Sequence, residues 1–131
     1  MKIKQTKEVE LSAVTMEGAS DVCMRQLVTE ADGAPNFAMR QFIVDPGGHT
    51  PRHHHPYEHE IYVLEGSGTV LEGETERPIA AGDVVFVEPD EIHQFRNTGG
   101  GPMTFLCLIP NSAKSQPVLH VPEPVVSGCD G

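Results

Sequence analysis

Basic side chains are scarce in this chain. Nine Lys and Arg stand against 19 Asp and Glu, leaving a formal charge of −10. That balance argues against a nucleic-acid partner, because such binding relies on phosphate neutralisation by Lys and Arg; the acidic surplus mainly favours solubility. Cysteine is sparse too. Cys23, Cys107 and Cys129 are odd in number, far apart and form no CxxC pair, so no disulfide framework is expected. Apolar residues make up 38% of the chain. They never run for the roughly 20 positions a membrane span requires. Met1–Glu10 carries no apolar segment of the secretory type, and the expectation is a soluble cytoplasmic protein. No apolar stripe of helical period lasts beyond about two turns, which excludes a helical fold.

Turn-forming residues are abundant. Thirteen Gly and 11 Pro cut the 131 residues into short extended runs, the pattern of an all-β domain. Residues 36–44 read as a strand with Phe37, Met39 and Ile43 on one face, after which Asp45-Pro46-Gly47-Gly48 turns the chain. Further strands fall at 60–65, 69–71, 75–79, 84–87, 93–96 and 103–109, with Glu72-Gly73-Glu74 as a hairpin turn. Weaker strand signals lie at 9–14 and 22–28. Residues 1–111 are expected to form one sandwich or barrel. Residues 112–131 form an extension in which three prolines exclude a helix; it would lie on the barrel or on a partner subunit.

Histidine is concentrated where chemistry is to be expected. Five of the seven His fall between His49 and His59, and His93 follows in a later strand-like run. Neutral imidazole is the commonest protein metal ligand. Residues two apart in an extended segment face the same side. His53 and His55 can therefore both face a barrel interior while His54 faces out. His59 can rejoin that face after Pro56-Tyr57-Glu58, and His93 can approach from a neighbouring strand. Four such ligands leave about two positions open on an octahedral ion, whereas a closed tetrahedral set would mean structural zinc. The spacing leaves both geometries open.

These residues resemble the two motifs of the cupin superfamily. Gly47, His53, His55 and Gly66 fall in register with the first motif, and Gly82, His93 and Asn97 with the second. Counting back from Gly66 puts His59 at the usual glutamate position, although Glu60 fits the count from His55. The motif segments are residues 47–66 and 82–97. Asp32-Gly33-Ala34-Pro35-Asn36-Phe37, the His-His-His-Pro-Tyr-Glu-His-Glu run and Phe105-Leu106-Cys107-Leu108-Ile109-Pro110 are similar to small single-domain bacterial cupins with a four-histidine manganese site. The resemblance covers roughly residues 20–111 and implies a double-stranded β-helix, or jelly roll, that forms a homodimer and holds one divalent ion per chain, manganese first. Four neutral imidazoles would leave the full charge on that ion, and softer nitrogen ligation admits Fe, Ni, Cu or Zn as well. Imidazoles with a reference pKa of about 6.5 would release the ion under mild acid.

Around the ligands, five residues are candidates for a substrate pocket. Arg40 would hold an anionic group if it faces inward and is a surface charge otherwise. Tyr62 is a hydrogen-bond donor or a core residue. Phe95, Phe105 and Cys107 are wall candidates; a buried Cys usually behaves as a small hydrophobe. Glu58 and Glu60 are second-sphere bases or solvated acids, Asn97 shapes a turn, and His49, His54 and His120 face solvent. The expected function is a metal-dependent, dioxygenase-like oxidoreductase acting on a small organic substrate. An anion-binding or sensing module, and a metal-dependent isomerase or decarboxylase, are the alternatives; the lack of an obvious acid–base pair weighs against the last two.

Overall fold

In chain order the strands are β1 (Ser12–Ala13), β2 (Ser20–Val28), β3 (Phe37–His49), β4 (His53–His54), β5 (His59–Glu65), β6 (Ser67–Glu72), β7 (Thr75–Ala80), β8 (Val84–Val87), β9 (His93–Arg96), β10 (Met103–Pro110) and β11 (Leu119–His120). The computed structural model describes residues 1–123. Burial alternates along β5, with His59, Ile61 and Val63 buried and Glu60, Tyr62 and Leu64 exposed. That period of two is what a sheet with one covered face imposes. β10 repeats it with Met103, Phe105 and Cys107 turned inward.

The strands pair antiparallel throughout and form one curled sheet in the order β11-β4-β9-β3-β10-β5-β8; β2 joins β1 to β3, and β6 joins β7 to β9. The result is the double-stranded β-helix. One core fills it, built on Val22, Val44, Ile61, Val63, Val70, Phe95, Met103 and Phe105. The Gly73-Glu74 loop closes the β6–β7 hairpin with Gly73 at φ +62°. Gly66 is required twice over. Its φ is +83°, and a Cβ there would run into the Pro102 carbonyl.

One expectation about β3 changes, and the structure assigns its two faces. The strand does not turn at Asp45-Pro46-Gly47-Gly48 but runs on to His49. Gly47 N–H bonds to Asn97 O at 3.1 Å, and Asn97 N–H bonds to Gly48 O at 3.0 Å. Pairing with the neighbouring segment therefore overrides local turn propensity. The face carrying Phe37, Met39 and Ile43 is also the outer one, with Phe37 70% exposed; Arg40, Phe42 and Val44 have the opposite parity and point inward.

The C-terminal extension lies on its own barrel as far as residue 123. Leu119 and His120 pair with His54 and His53, and Val121 N–H bonds to Arg52 O at 2.9 Å. Glu123 accepts from Gln94 at 2.7 Å and from Arg96 at 3.1 Å. A short 3-10 turn at Asn111–Ser115 precedes the prolines. Residues 124–126 of the apolar stretch, and Cys129, lie outside the described residues.

Candidate metal centre

Each of the four histidines reaches the barrel interior by a separate local device. His53 and His93 are direct cross-strand partners on β4 and β9. His59 opens β5 in the same inward register as Ile61 and Val63. His55 follows β4, and its carbonyl accepts the Asp90 N–H at 2.7 Å, tying the two histidine-bearing segments together. Asp90 sits at φ +67°, a left-handed turn that Asp tolerates better than most residues. Asn97 anchors the far side. Its buried amide donates to Val44 O and Gly101 O, both at 2.8 Å, and its Oδ1 accepts the Gly99 N–H at 2.9 Å.

The four rings converge. One nitrogen from each of His53, His55, His59 and His93 lies within 4.8 Å of all the others. Ring centroids are 4.7 Å apart for His53–His93 and 4.5 Å for His55–His59, and both pairs meet edge to face. Backbone carbonyls set two of the tautomers. His55 Nδ1–H donates to Tyr57 O at 2.7 Å and His93 Nδ1–H to Glu91 O at 2.8 Å. Nε2 of both rings is then left buried, with a lone pair and no partner. Buried acceptors without a donor are costly, and a cation among them removes the cost; a carbonyl behind each ligating imidazole is the usual support of such a centre. The donor set fits a divalent transition ion.

Burial keeps these imidazoles neutral. It lowers His53 to about 3 and His93 to about 4, and pushes His59 well below and His55 below the ordinary value. The nearby Arg40 charge acts in the same direction on His59, while the Tyr57 carbonyl opposes it at His55. Protonation of the metal-free ligands therefore begins at lower pH than the reference value near 6.5 implies.

The cluster closes one end of a cavity of about 130 Å³. Arg40, Phe95, Phe105 and Cys107 line it; Tyr62 does not, being 47% exposed on the outer face. Strand parity explains the correction, since Tyr62 shares its face with Glu60 and Leu64 rather than with Ile61. Tyr57 is the tyrosine that does line the cavity. It stacks on His55 with centroids 3.8 Å apart and planes 8° apart, and burial raises its phenol. The proline before it and its place between two ligands were the sequence signals for that role. Val14, Met16, Met24, Phe42 and Val118 complete a mainly apolar wall. Glu58 and Glu60 are exposed and lie outside it. Cys107 is not a mere hydrophobe: Arg40 Nη2 donates to its sulfur at 3.1 Å, and His59 Nδ1 lies 3.1 Å from the same atom. His120 is exposed, whereas His49 and His54 are half-buried.

A jelly-roll barrel with a convergent four-histidine cluster beside an apolar cavity has a donor set that could hold a metal ion. The chain belongs to the cupin family, whose cupin domain matches residues 40–109. It is similar to the polyketide cyclase RemF from Streptomyces resistomycificus, at 33% identity over 95% of this chain and 87% of that one, with a TM-score of 0.86. It is also 30% identical, over 85% of its length and 71% of the relative, to 1-methylthio-D-xylulose 5-phosphate methylsulfurylase from Rhodospirillum rubrum. An oxalate-binding protein from Thermotoga maritima matches at 40% identity over 49% of this chain and 54% of that protein. Three different activities on one barrel mean that the family fixes the scaffold and the site fixes the chemistry.

Proposed function

We propose that this protein is a metal-dependent cupin enzyme that folds a small, oxygenated, largely apolar ketonic substrate and closes it into a ring, as a polyketide cyclase does. One observation carries the proposal: three of the four clustered imidazoles (His53, His59 and His93), one guanidinium and an aromatic wall line a single cavity. The similarity to RemF over nearly the whole chain supports it.

His53, His55, His59 and His93 hold the ion. A divalent ion bound there would supply Lewis acidity to a substrate carbonyl, acidifying the carbon between two ketones enough for its proton to pass to solvent. Arg40 receives a second, anionic oxygen of the substrate. Its Nε–H is buried without a partner, and its guanidinium lies over Phe42 with Cζ 5.0 Å from the ring centroid. Phe42, Phe105 and Phe95 pack in series, at 5.3 Å and 4.9 Å between neighbours, and present a water-excluding surface to flat conjugated chains. Tyr57 is a phenol that burial pushes further from ionisation, leaving a hydrogen-bond donor in the cavity.

The test is incubation of the metal-loaded chain with a linear poly-β-ketone under argon and under air, followed by mass spectrometry. Ring closure with loss of water under both atmospheres supports the proposal. Oxygen incorporation under air alone supports the second reading, a dioxygenase-like oxidoreductase, which the lack of any carboxylate among the described cavity residues favours. Tight binding of the ketone or of oxalate without product would mean a binding module. Manganese is our first choice of ion. A homodimer, formed through the exposed face bearing Tyr62, Val84 and Phe86, and a cytoplasmic location compatible with the free thiols Cys23 and Cys107, complete the proposal.

A further inference from the structure

The four imidazoles are not supported alike. His55 and His93 each donate Nδ1–H to a backbone carbonyl, a group that can only accept, so their tautomers are fixed by the main chain. At His59 the Nδ1 atom instead meets the sulfur of Cys107, at 3.1 Å and in a buried setting. A thiol can donate or accept, so the main chain does not decide this tautomer. The sulfur is itself held. Arg40 lies directly opposite Cys107 across β3 and β10, and its Nη2 donates to Sγ at 3.1 Å. Ile61 is the partner of Cys107 on the other side, across β5 and β10, and His59 is two residues before it on the same face. Register therefore puts Arg40 beside Cys107 and His59 one inward position along from it, and the side-chain rotamers bring guanidinium, sulfur and imidazole into contact.

We propose that Cys107 accepts the Nδ1–H of His59 and so turns its Nε2 lone pair toward the ion, with Arg40 holding the sulfur in place; Cys107 and Arg40 are thus positioning residues of the metal centre. The proposal rests on the four-histidine metal reading but concerns a proton position that is measurable with or without an ion. Of the two arrangements possible at the contact, only this one leaves His59 a free Nε2 to complete the convergent set. Sulfur is a weaker acceptor than a carbonyl. His59 is accordingly the least firmly oriented ligand of those with a visible partner, and the one whose surroundings tune metal affinity.

The test joins nitrogen NMR of the His ring tautomers, in metal-free and zinc-loaded protein, to zinc affinity measured against a chromophoric chelator. Wild-type protein should show His59 protonated at Nδ1 in both states. Cys107→Ala should mix the tautomers in the metal-free state and weaken zinc binding roughly 10–100-fold, the usual effect of removing a group behind a ligand. Cys107→Ser, which keeps an acceptor and leaves a smaller packing defect, should restore one tautomer and most of the affinity. Arg40→Met should mix the His59 tautomers less than Cys107→Ala does, because Sγ remains within reach of Nδ1. A wild-type His59 protonated at Nε2, or unchanged tautomer and affinity in Cys107→Ala, would overturn the proposal. If wild-type protein bound no zinc yet kept His59 protonated at Nδ1, the metal reading would fall and the Cys107–His59 pairing would stand.

Discussion

Acidifying chelator-stripped protein from about pH 7.5 to about pH 5 probes the burial of the histidine cluster through stability. Burial holds His53 at about 3 and His93 at about 4 in the folded chain. The same imidazoles titrate near about 6.5 once unfolded. Both folded values are depressed, so the stabilisation is complete above about 6.5, falls as pH drops below it, and goes on falling until the folded groups themselves protonate near about 3 to 4. At about pH 5 the unfolded imidazole lies about 1.5 units below its pKa, which at 1.36 kcal/mol per unit is about 2 kcal/mol for each residue. Together the two remove about 4 kcal/mol, a large part of the roughly 5–15 kcal/mol that holds a domain folded. His93→Gln deletes one of the two titrations. Its loss of stability over the same interval should be smaller by about 2 kcal/mol, or about 1 M in urea midpoint for an m-value near 2 kcal/mol/M. Urea unfolding at both pH values with excess chelator is the assay, and His120→Gln, at an exposed position, is the control. Equal pH dependence in wild type and His93→Gln would show that His93 is not held neutral by burial, and would refute the reasoning.

Other variants test separate parts of the account. His59→Ala should lose most bound metal while Glu60→Ala keeps it, by metal content per chain after dialysis, because His59 is buried in the cluster and Glu60 is exposed; the reverse result would make Glu60 the ligand. Asn97→Ala removes an amide that bridges Val44, Gly99 and Gly101, and should cost roughly 1–3 kcal/mol in denaturant unfolding, since the buried Val44 carbonyl loses its donor while the Gly99 and Gly101 groups can turn to water. Phe105→Ala should cost roughly 3–5 kcal/mol, because the ring is 1% exposed and stacks between Phe42 and Phe95; a cost below about 1 kcal/mol would mean that the barrel core is not centred there.

Much of the barrel and its ligand cluster was readable because period-two burial is a strong signal where one face is covered. Along β5 and β10 the alternation is nearly unbroken, so the inward turn of His59 and the shared face of Phe105 and Cys107 followed from parity. The same rule, applied to Tyr62, places it outside, and its hydroxyl misled where its parity should have decided. At β3 the turn chemistry of Asp45-Pro46-Gly47-Gly48 pointed to a bend, but hydrogen bonds to Asn97, remote in sequence, keep the segment extended. Irregular pairing between β2 and β3 also obscures which face is inner. The contacts of Cys107 with Arg40 and His59 depend on side-chain rotamers and cross-strand register. Neither leaves a local pattern in the chain.

The most direct test of the central claim is metal analysis of untagged protein together with anomalous diffraction at the absorption edge of whichever metal is found. The account predicts about one ion per chain, coordinated by ring nitrogens of His53, His55, His59 and His93 with positions left open toward the Arg40 side of the cavity. An ion bound through Glu60 in place of His59, or protein that holds no transition metal after equilibration with excess, would contradict it.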